Sequence, residues 1–166
     1  MQTFEMARHI NAPRAVAWAV LSDLDRWERH APNLSKTEVV AGEAEGAVRR
    51  CYNNAGKGWT ETCTLWQPGR LYVMEVDTSD YPYPMALMRG TFSVDDDERG
   101  SLVKLRFDYQ FKHGALGRVA GALSRPVFGR TCKRVLDSIE REATAAAVED
   151  VEPAPRRNGR RRLSRR

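Results

Sequence analysis

The segment SLVKLRFDYQFKHGALGRVAGALSRPVFGRTCKRVLDSIEREA, residues 101–143, decides the fold, because an alternating strand leads directly into a long helix. Within residues 102–112, one face carries only apolar side chains, namely Val103, Leu105, Phe107, Tyr109 and Phe111. The other face is mostly charged or polar. Alternation with a period of two is typical of a strand that is buried on one side. This strand is therefore expected to turn one face toward the core.

A long amphipathic helix is predicted after Gly114. Its apolar stripe consists of Leu116, Val119, Ala120, Leu123, Val127, Val135, Ile139 and Ala143. Basic residues lie largely off this stripe, as expected for a helix with one apolar face. Pro126 falls inside the helix and is expected to kink or split it, because proline lacks an amide hydrogen and clashes with the preceding turn.

Five further strand-like segments precede residue 101, and each boundary carries a turn signal. They cover residues 35–42, 47–54, 58–66, 70–78 and 86–95. Short connections of this kind make antiparallel neighbours. Together with a strand at residues 3–10, they predict a seven-stranded antiparallel sheet.

Two short helices are expected between the first two strands. Asn11 can cap a helix, and Pro13 can occupy its first turn, where a missing amide hydrogen costs nothing. Apolar residues follow at helical spacing, namely Val16, Val20, Leu24 and Trp27. The second short helix is expected to start at Ser22 or Asp23, and Pro32 ends it.

Size and composition indicate a single domain. The chain has 166 residues, of which 42% are hydrophobic, and no apolar run reaches the ~18 residues of a transmembrane helix. The N-terminus lacks the basic and apolar regions of a signal peptide, so we expect a cytoplasmic protein. Its three cysteines, Cys51, Cys63 and Cys132, do not have metal-site spacing. We expect reduced thiols, no metal site and no cofactor.

Positive charge is concentrated in the C-terminal segment, residues 148–166, which holds seven arginines and three acids. Removing these from the totals of 27 basic and 22 acidic residues leaves 20 and 19 in the remaining chain. The segment has too few apolar residues to order itself. We therefore expect a domain at residues 1–147 and a disordered Arg-rich tail at 148–166. The tail can contact nucleic acid or anionic lipid, or serve only solubility.

The strand GWTETCTLW, residues 58–66, has no clean apolar face. Strict alternation places Trp59, Glu61, Cys63 and Leu65 on the inward side and the threonines on the outward side. A carboxylate on the inward side must be paired or hydrogen-bonded, and Arg49 and Asn53 are the candidate partners. Such a mixed face suits a strand that lines a ligand cavity.

The order of elements, together with NAPRAVAWAVLSDLDRWERHAP at residues 11–32, resembles the START-like superfamily. This superfamily, also called SRPBCC, includes polyketide cyclases and lipid-transport proteins. The resemblance also rests on Gly46-x-Val48-Arg49, on GKGWTE at residues 56–61 and on the final helix, and it covers roughly residues 1–145. It implies an α+β helix-grip fold, with a seven-stranded antiparallel sheet curled around a long C-terminal helix and a hydrophobic cavity between them.

The resemblance also bears on function. Members of the superfamily bind lipids, quinones, hormones or polyketides, and some catalyse cyclisation or aromatisation. Its aromatase/cyclases place an arginine and a tyrosine in the cavity. Alignment puts these positions at Leu65 and near Leu34 in this chain, so both polar groups are missing. This departure favours binding over catalysis.

We therefore predict a small hydrophobic or amphipathic ligand, of the lipid, polyketide or quinone-like kind, between the sheet and the last helix. The expected ligand-binding residues are Arg49, Trp59, Glu61, Cys63, Phe92, Leu105, Phe107, Tyr109, Leu123 and Val127. Two alternatives remain open. One is a cyclase, aromatase or dehydratase in which Glu61 and Arg49 act; the other is a module that binds a protein, ribosomal or nucleic-acid partner through the basic tail.

Overall fold

The computed structural model describes residues 1–151, except for the side chains at positions 115, 116, 118, 120, 121, 150 and 151. The strands are β1 (Gln2–Ile10), β2 (Leu34–Ala41), β3 (Val48–Asn53), β4 (Gly58–Gln67), β5 (Leu71–Val76), β6 (Met85–Asp97) and β7 (Gly100–Phe111). The helices are α1 (Arg14–Leu21), a short 3-10 helix η1 (Leu24–Arg29) and the long α2 (Gly114–Val151).

The strands form one antiparallel sheet in the order β1-β7-β6-β5-β4-β3-β2. The first strand therefore pairs with the last, and every other strand pairs with its neighbours in sequence. On one side of this sheet, α2 packs against β1, β7 and α1. The predicted helix-grip fold is confirmed, including the seven strands, the long C-terminal helix and the two short helices after the first strand.

The strand β4 changes its inward face at Thr64. Cys63 pairs with Met74 and Leu65 pairs with Val73, so Thr64 is the extra residue of a β-bulge. One extra residue reverses the alternation, which leaves Leu65 37% exposed on the outer face and brings Trp66 against the core. The expectation that Leu65 points inward is therefore wrong, because it assumed unbroken alternation.

Close-packed aromatic rings fill the end of the sheet that lies under α1. Tyr72 is fully buried, and its hydroxyl donates a hydrogen bond of 2.9 Å to the carbonyl of Leu21. The Tyr72 ring stacks on Phe92 with the centroids 4.7 Å apart and on Trp66 at 5.5 Å. These contacts pack the rings tightly beneath α1, and Phe92 is the ring of this cluster that also borders the open part of the concave face.

The helix α2 runs without interruption through Pro126, so the expected split does not occur. Pro126 is exposed, and water can take the backbone hydrogen bond that it leaves. Toward the sheet, α2 presents Phe128, Thr131, Cys132, Val135, Leu136, Ile139 and Ala143.

The expectation that Leu123 and Val127 line the cavity is wrong, because they are 75% and 63% exposed. The predicted stripe joined two apolar rows that lie on different faces of α2. Leu123 and Ile139 are 16 residues apart, which places them about 160° apart around a helix that turns about 100° per residue. Only the row that contains Ile139 can face the sheet.

At its C-terminal end α2 extends to Val151, so residues 148–151 are helical. Residues 152–166 lie outside the described residues, and the disordered tail stays a prediction. Within residues 1–151, no helix is sufficiently long and apolar to cross a membrane.

Candidate functional site

A cavity of about 120 Å³ lies between the concave face of the sheet, η1 and α2. Its wall is mainly apolar and includes six aromatic side chains, those of Trp27, Trp59, Tyr81, Phe92, Phe107 and Phe128. The polar residues at its wall are Asn33, Arg49, Glu61 and Thr131. An apolar wall with a few polar groups is the usual composition of a site for a small molecule.

Arg49 and Glu61 form a buried ion pair at the cavity wall. They lie directly opposite each other on β3 and β4, and the Arg49 Nη2 donates to Glu61 Oε2 at 2.5 Å. The other carboxylate oxygen, Oε1, accepts a hydrogen bond of 2.8 Å from the indole nitrogen of Trp59. The Arg49 side chain is 2% exposed and that of Glu61 is 12% exposed. Each carboxylate oxygen of Glu61 therefore already accepts one hydrogen bond.

The second candidate partner, Asn53, is not involved. Its side-chain oxygen accepts hydrogen bonds from the backbone amides of Ala55 and Lys57, at 3.0 and 2.9 Å, and closes the turn between β3 and β4. Arg49 thus has Glu61 as its ion-pair partner. The face of the guanidinium lies over Trp27, with Cζ 5.8 Å from the ring centroid, which adds a cation–π contact.

Burial and the ion pair together shift the pKa values of the titratable groups around Arg49 and Glu61. Burial opposes the charge of Arg49, but the Glu61 carboxylate offsets this effect, and the pKa of Arg49 is raised above its ordinary value. Burial, reinforced by the nearby Glu61 carboxylate, raises the pKa of the Cys51 thiol and of the Tyr81 hydroxyl. Cys51 and Tyr81 are therefore neutral at physiological pH, and Cys51 is not an activated nucleophile.

The aromatic wall is held by ring-to-ring contacts. Phe92 meets Trp27 edge-on at 5.1 Å and Phe107 at 5.7 Å, and Phe107 meets Phe128 of α2 at 4.9 Å. Gly90 permits this arrangement, because a Cβ there would lie 2.8 Å from a ring atom of Phe92. The rings therefore form a continuous wall that joins η1, the sheet and α2.

Polar contacts hold α2 over the cavity. His30, which is 3% exposed just after η1, has its Nδ1 3.1 Å from the Ser138 hydroxyl, and that hydroxyl also donates to the carbonyl of Arg29 at 3.3 Å. On the opposite side, Arg8 of β1 pairs with Glu140 at 2.6 Å. These contacts fix the C-terminal half of α2 on both sides.

The structure brings six of the ten expected ligand-binding residues to the cavity wall, namely Arg49, Trp59, Glu61, Phe92, Leu105 and Phe107. Cys63 and Tyr109 are buried on the concave side, at 1% and 3% exposure, but lie outside the wall. The Cys63 thiol is 3.3 Å from the carbonyl of Leu65 and packs at the β-bulge. Leu123 and Val127 are exposed on α2, away from the cavity.

Sequence reasoning missed several wall residues, including Trp27, Tyr81, Met74, Met88, Phe128, Thr131, Cys132 and Val135. Tyr81 belongs to the loop DYPYPM, residues 80–85, and its ring contacts that of Trp59 edge-on with the centroids 5.2 Å apart. The helical spacing of Phe128, Cys132 and Val135 was a usable signal for the α2 residues. Trp27, predicted only as an apolar residue of the second short helix, packs against Phe92 and also borders the cavity.

The three cysteines are free and buried. Burial raises the pKa of Cys132, which lies at the cavity wall, to about 12. Among residues 1–151, no group of three or more His, Cys, Asp or Glu side chains is placed to hold a metal ion. The chemistry that the wall offers is therefore apolar contact, together with hydrogen bonding by the ion pair.

The sequence profile described as "Polyketide cyclase / dehydrase and lipid transport" matches residues 1–144. A comparison with curated proteins finds no match.

Solved structures show the same fold at low sequence identity. A protein from Thermus thermophilus is 20% identical with a TM-score of 0.70, and the match covers 88% of this chain and 99% of that one. An aromatase/cyclase from Streptomyces sp. R1128 is 20% identical with a TM-score of 0.65, over 93% of this chain and 98% of that one. A START superfamily protein from Mycobacterium smegmatis is 12% identical with a TM-score of 0.68, over 87% and 98%.

Proposed function

Because the chain belongs to the polyketide cyclase/dehydrase and lipid transport family, we propose that it binds a small hydrophobic or amphipathic ligand between the sheet and α2. The ligand is of the lipid, polyketide or quinone-like kind. The observation that carries this proposal is the aromatic cavity with one buried ion pair at its wall. Binding is driven by burial of apolar ligand surface, worth about 25 cal/mol per Å² before the costs of association.

The size of the cavity restricts what can enter without movement. Its volume is about 120 Å³, whereas sites for drug-sized ligands span roughly 300–1,000 Å³. An apolar cavity of roughly 150 Å³ holds benzene, so this smaller space takes a ligand portion of at most about one ring, with small shifts of the wall side chains. A longer ligand requires the N-terminal half of α2 to move outward, and the contacts of His30 and Arg8 hold only the C-terminal half.

The test is native mass spectrometry of the protein purified from its own host, compared with two variants of α2. In Thr131→Phe, a ring replaces a side chain at the cavity wall. The matched control, Val127→Phe, places the same ring on the exposed side of the helix. We expect a co-purifying small molecule in the wild type and in Val127→Phe, and its loss in Thr131→Phe. A ligand that remains in Thr131→Phe, or none in any of the three, contradicts the proposal.

A carboxylate at the cavity wall favours a second candidate, an enzyme of the cyclase or dehydratase type with Glu61 as its acid–base group. Against this, both Glu61 oxygens already accept hydrogen bonds, from Arg49 and Trp59. Glu61→Gln separates the two functions when the co-purified ligand is incubated with folded protein. An enzyme converts the ligand and loses turnover in the variant with binding intact; a binding protein converts it in neither form.

A further inference from the structure

Two buried nitrogens of the Arg49 side chain, which together carry three N–H groups, lack a hydrogen-bond partner. The side chain is 2% exposed, and no described group of the chain accepts a hydrogen bond from its Nε or its Nη1. Arg49 also borders the cavity. Buried polar groups are nearly always hydrogen-bonded, so these donors need a partner in the cavity, which water supplies in the free protein and a ligand atom supplies in the complex.

The guanidinium is fixed in a position that leaves these donors free. Glu61 accepts from Nη2, and Trp27 lies against the guanidinium face. Glu61 is itself held by Trp59 through its other oxygen. Because arginine has five N–H donors and the described contacts use only one of its three nitrogens, hydrogen-bonding capacity remains on the side chain.

We propose that the ligand carries a neutral oxygen acceptor, of the ketone, ester or quinone carbonyl class, which accepts a hydrogen bond from Arg49 at Nε or Nη1. This inference rests on the proposed function and deepens it, because it names the group by which the cavity orients its ligand. The apolar remainder of the ligand packs on Phe92, Phe107 and Phe128.

The charge of the site selects a neutral acceptor over an anion. Arg49 and Glu61 are the charged residues among the described members of the cavity wall, and their charges cancel. A ligand carboxylate would be desolvated beside the Glu61 carboxylate with no further cation to compensate it. A carbonyl oxygen accepts the same hydrogen bond without that repulsion, and its bond to a charged donor is stronger than one to a neutral donor.

Three probes of similar size test the proposal: acetophenone, α-methylstyrene and benzoate. The second replaces the carbonyl oxygen of the first by a methylene group, and the third replaces the methyl ketone by a carboxylate. Dissociation constants come from calorimetric titration, and NMR follows the side-chain N–H signals of Arg49. We expect acetophenone to bind at least ~10-fold more tightly than either other probe and to be the one probe that shifts an Arg49 N–H signal.

The double variant Arg49→Met/Glu61→Leu removes the donor without leaving a buried charge alone and without adding an amide donor at the wall. Its preference for acetophenone over α-methylstyrene should fall below ~3-fold, while α-methylstyrene binding is retained. The Arg49 N–H signals in the wild type give a readout that does not depend on whether the variant folds.

Each other result overturns the inference. Equal binding of acetophenone and α-methylstyrene, or a preference for acetophenone that survives in the double variant, would show that Arg49 does not orient the ligand. Neither result would contradict the presence of a ligand cavity. Tighter binding of benzoate identifies an anion site instead. Failure of all three probes to bind at millimolar concentration counts against both the acceptor and the proposed function.

Discussion

Removal of the Glu61 charge should destabilise the fold strongly. In Glu61→Gln, the amide oxygen can accept from only one of the two donors, Trp59 and Arg49, the amide nitrogen faces the other donor, and the buried Arg49 cation loses its compensating charge. Breaking a buried ion pair from one side costs about 3–5 kcal/mol. We expect about 3 kcal/mol, the lower end of this range, because Glu61 is 12% exposed and the amide oxygen can still accept one hydrogen bond. The melting temperature should then fall by about 6–12 °C.

The assay is urea unfolding at neutral pH, with Glu75→Gln as the matched control. Glu75 pairs with Arg89 on the outer face of the sheet, where the two side chains are 41% and 47% exposed. A surface pair of this kind contributes about 0–1 kcal/mol, so the control should change stability little. If Glu61→Gln costs no more than Glu75→Gln, Arg49 and Glu61 do not form a buried ion pair.

A double-mutant cycle with Arg49→Met completes this test. Arg49→Met alone leaves the Glu61 carboxylate uncompensated and should also cost about 3–5 kcal/mol. Arg49→Met/Glu61→Gln should be more stable than the sum of the single effects predicts, by about 2 kcal/mol, because no unpaired charge remains. Additive single effects would show that the two side chains do not interact.

Three further predictions concern stability and the tail. Gly100→Ala should cost about 3 kcal/mol or more in urea unfolding, because its φ is +135° and a Cβ would lie 2.3 Å from the Ile10 carbonyl oxygen. The control Gly69→Ala has a φ of +72° and no atom within 4 Å of the added Cβ, so it should cost only about 1 kcal/mol. Equal costs for the two variants would contradict the close approach of Gly100 to Ile10. Burial lowers the pKa of His30 below 6.5, so the folded state favours the neutral ring. The stability from His30 is then complete above pH 6.5 and is lost as the pH falls below it. The difference in unfolding free energy between the wild type and His30→Gln should shrink from pH 7.5 to 5.5, and a constant difference would contradict this. Deletion of residues 149–166 should leave the melting temperature unchanged and abolish salt-sensitive retention on an anionic matrix; retention that survives the deletion would show that the arginines do not form the anionic contact.

The fold could be predicted because its signals are local and repeated. Each strand boundary carries a glycine or proline turn signal, and β7 alternates without a break over residues 101–111. The resemblance to the START-like superfamily supplied the arrangement of the sheet around α2. A cytoplasmic location and an anionic partner of the tail stay predictions of the sequence.

Two errors in the site have physical causes that periodicity cannot reveal. The extra residue Thr64 depends on the pairing of β4 with β5, and it turned Leu65 outward. In the first half of α2, apolar residues occur on more than one face, and only packing decides that Phe128 faces the sheet while Leu123 and Val127 do not. The pairing of Arg49 with Glu61 was predictable because both residues lie on neighbouring strands of a hairpin.

The most direct measurement is a crystal structure of the protein isolated from its own host. We expect ligand density against Phe92 and Phe107, with an oxygen atom within hydrogen-bonding distance of the Arg49 Nε or Nη1. Density for water alone in this space, or a cavity closed by the aromatic rings and α2, would contradict it.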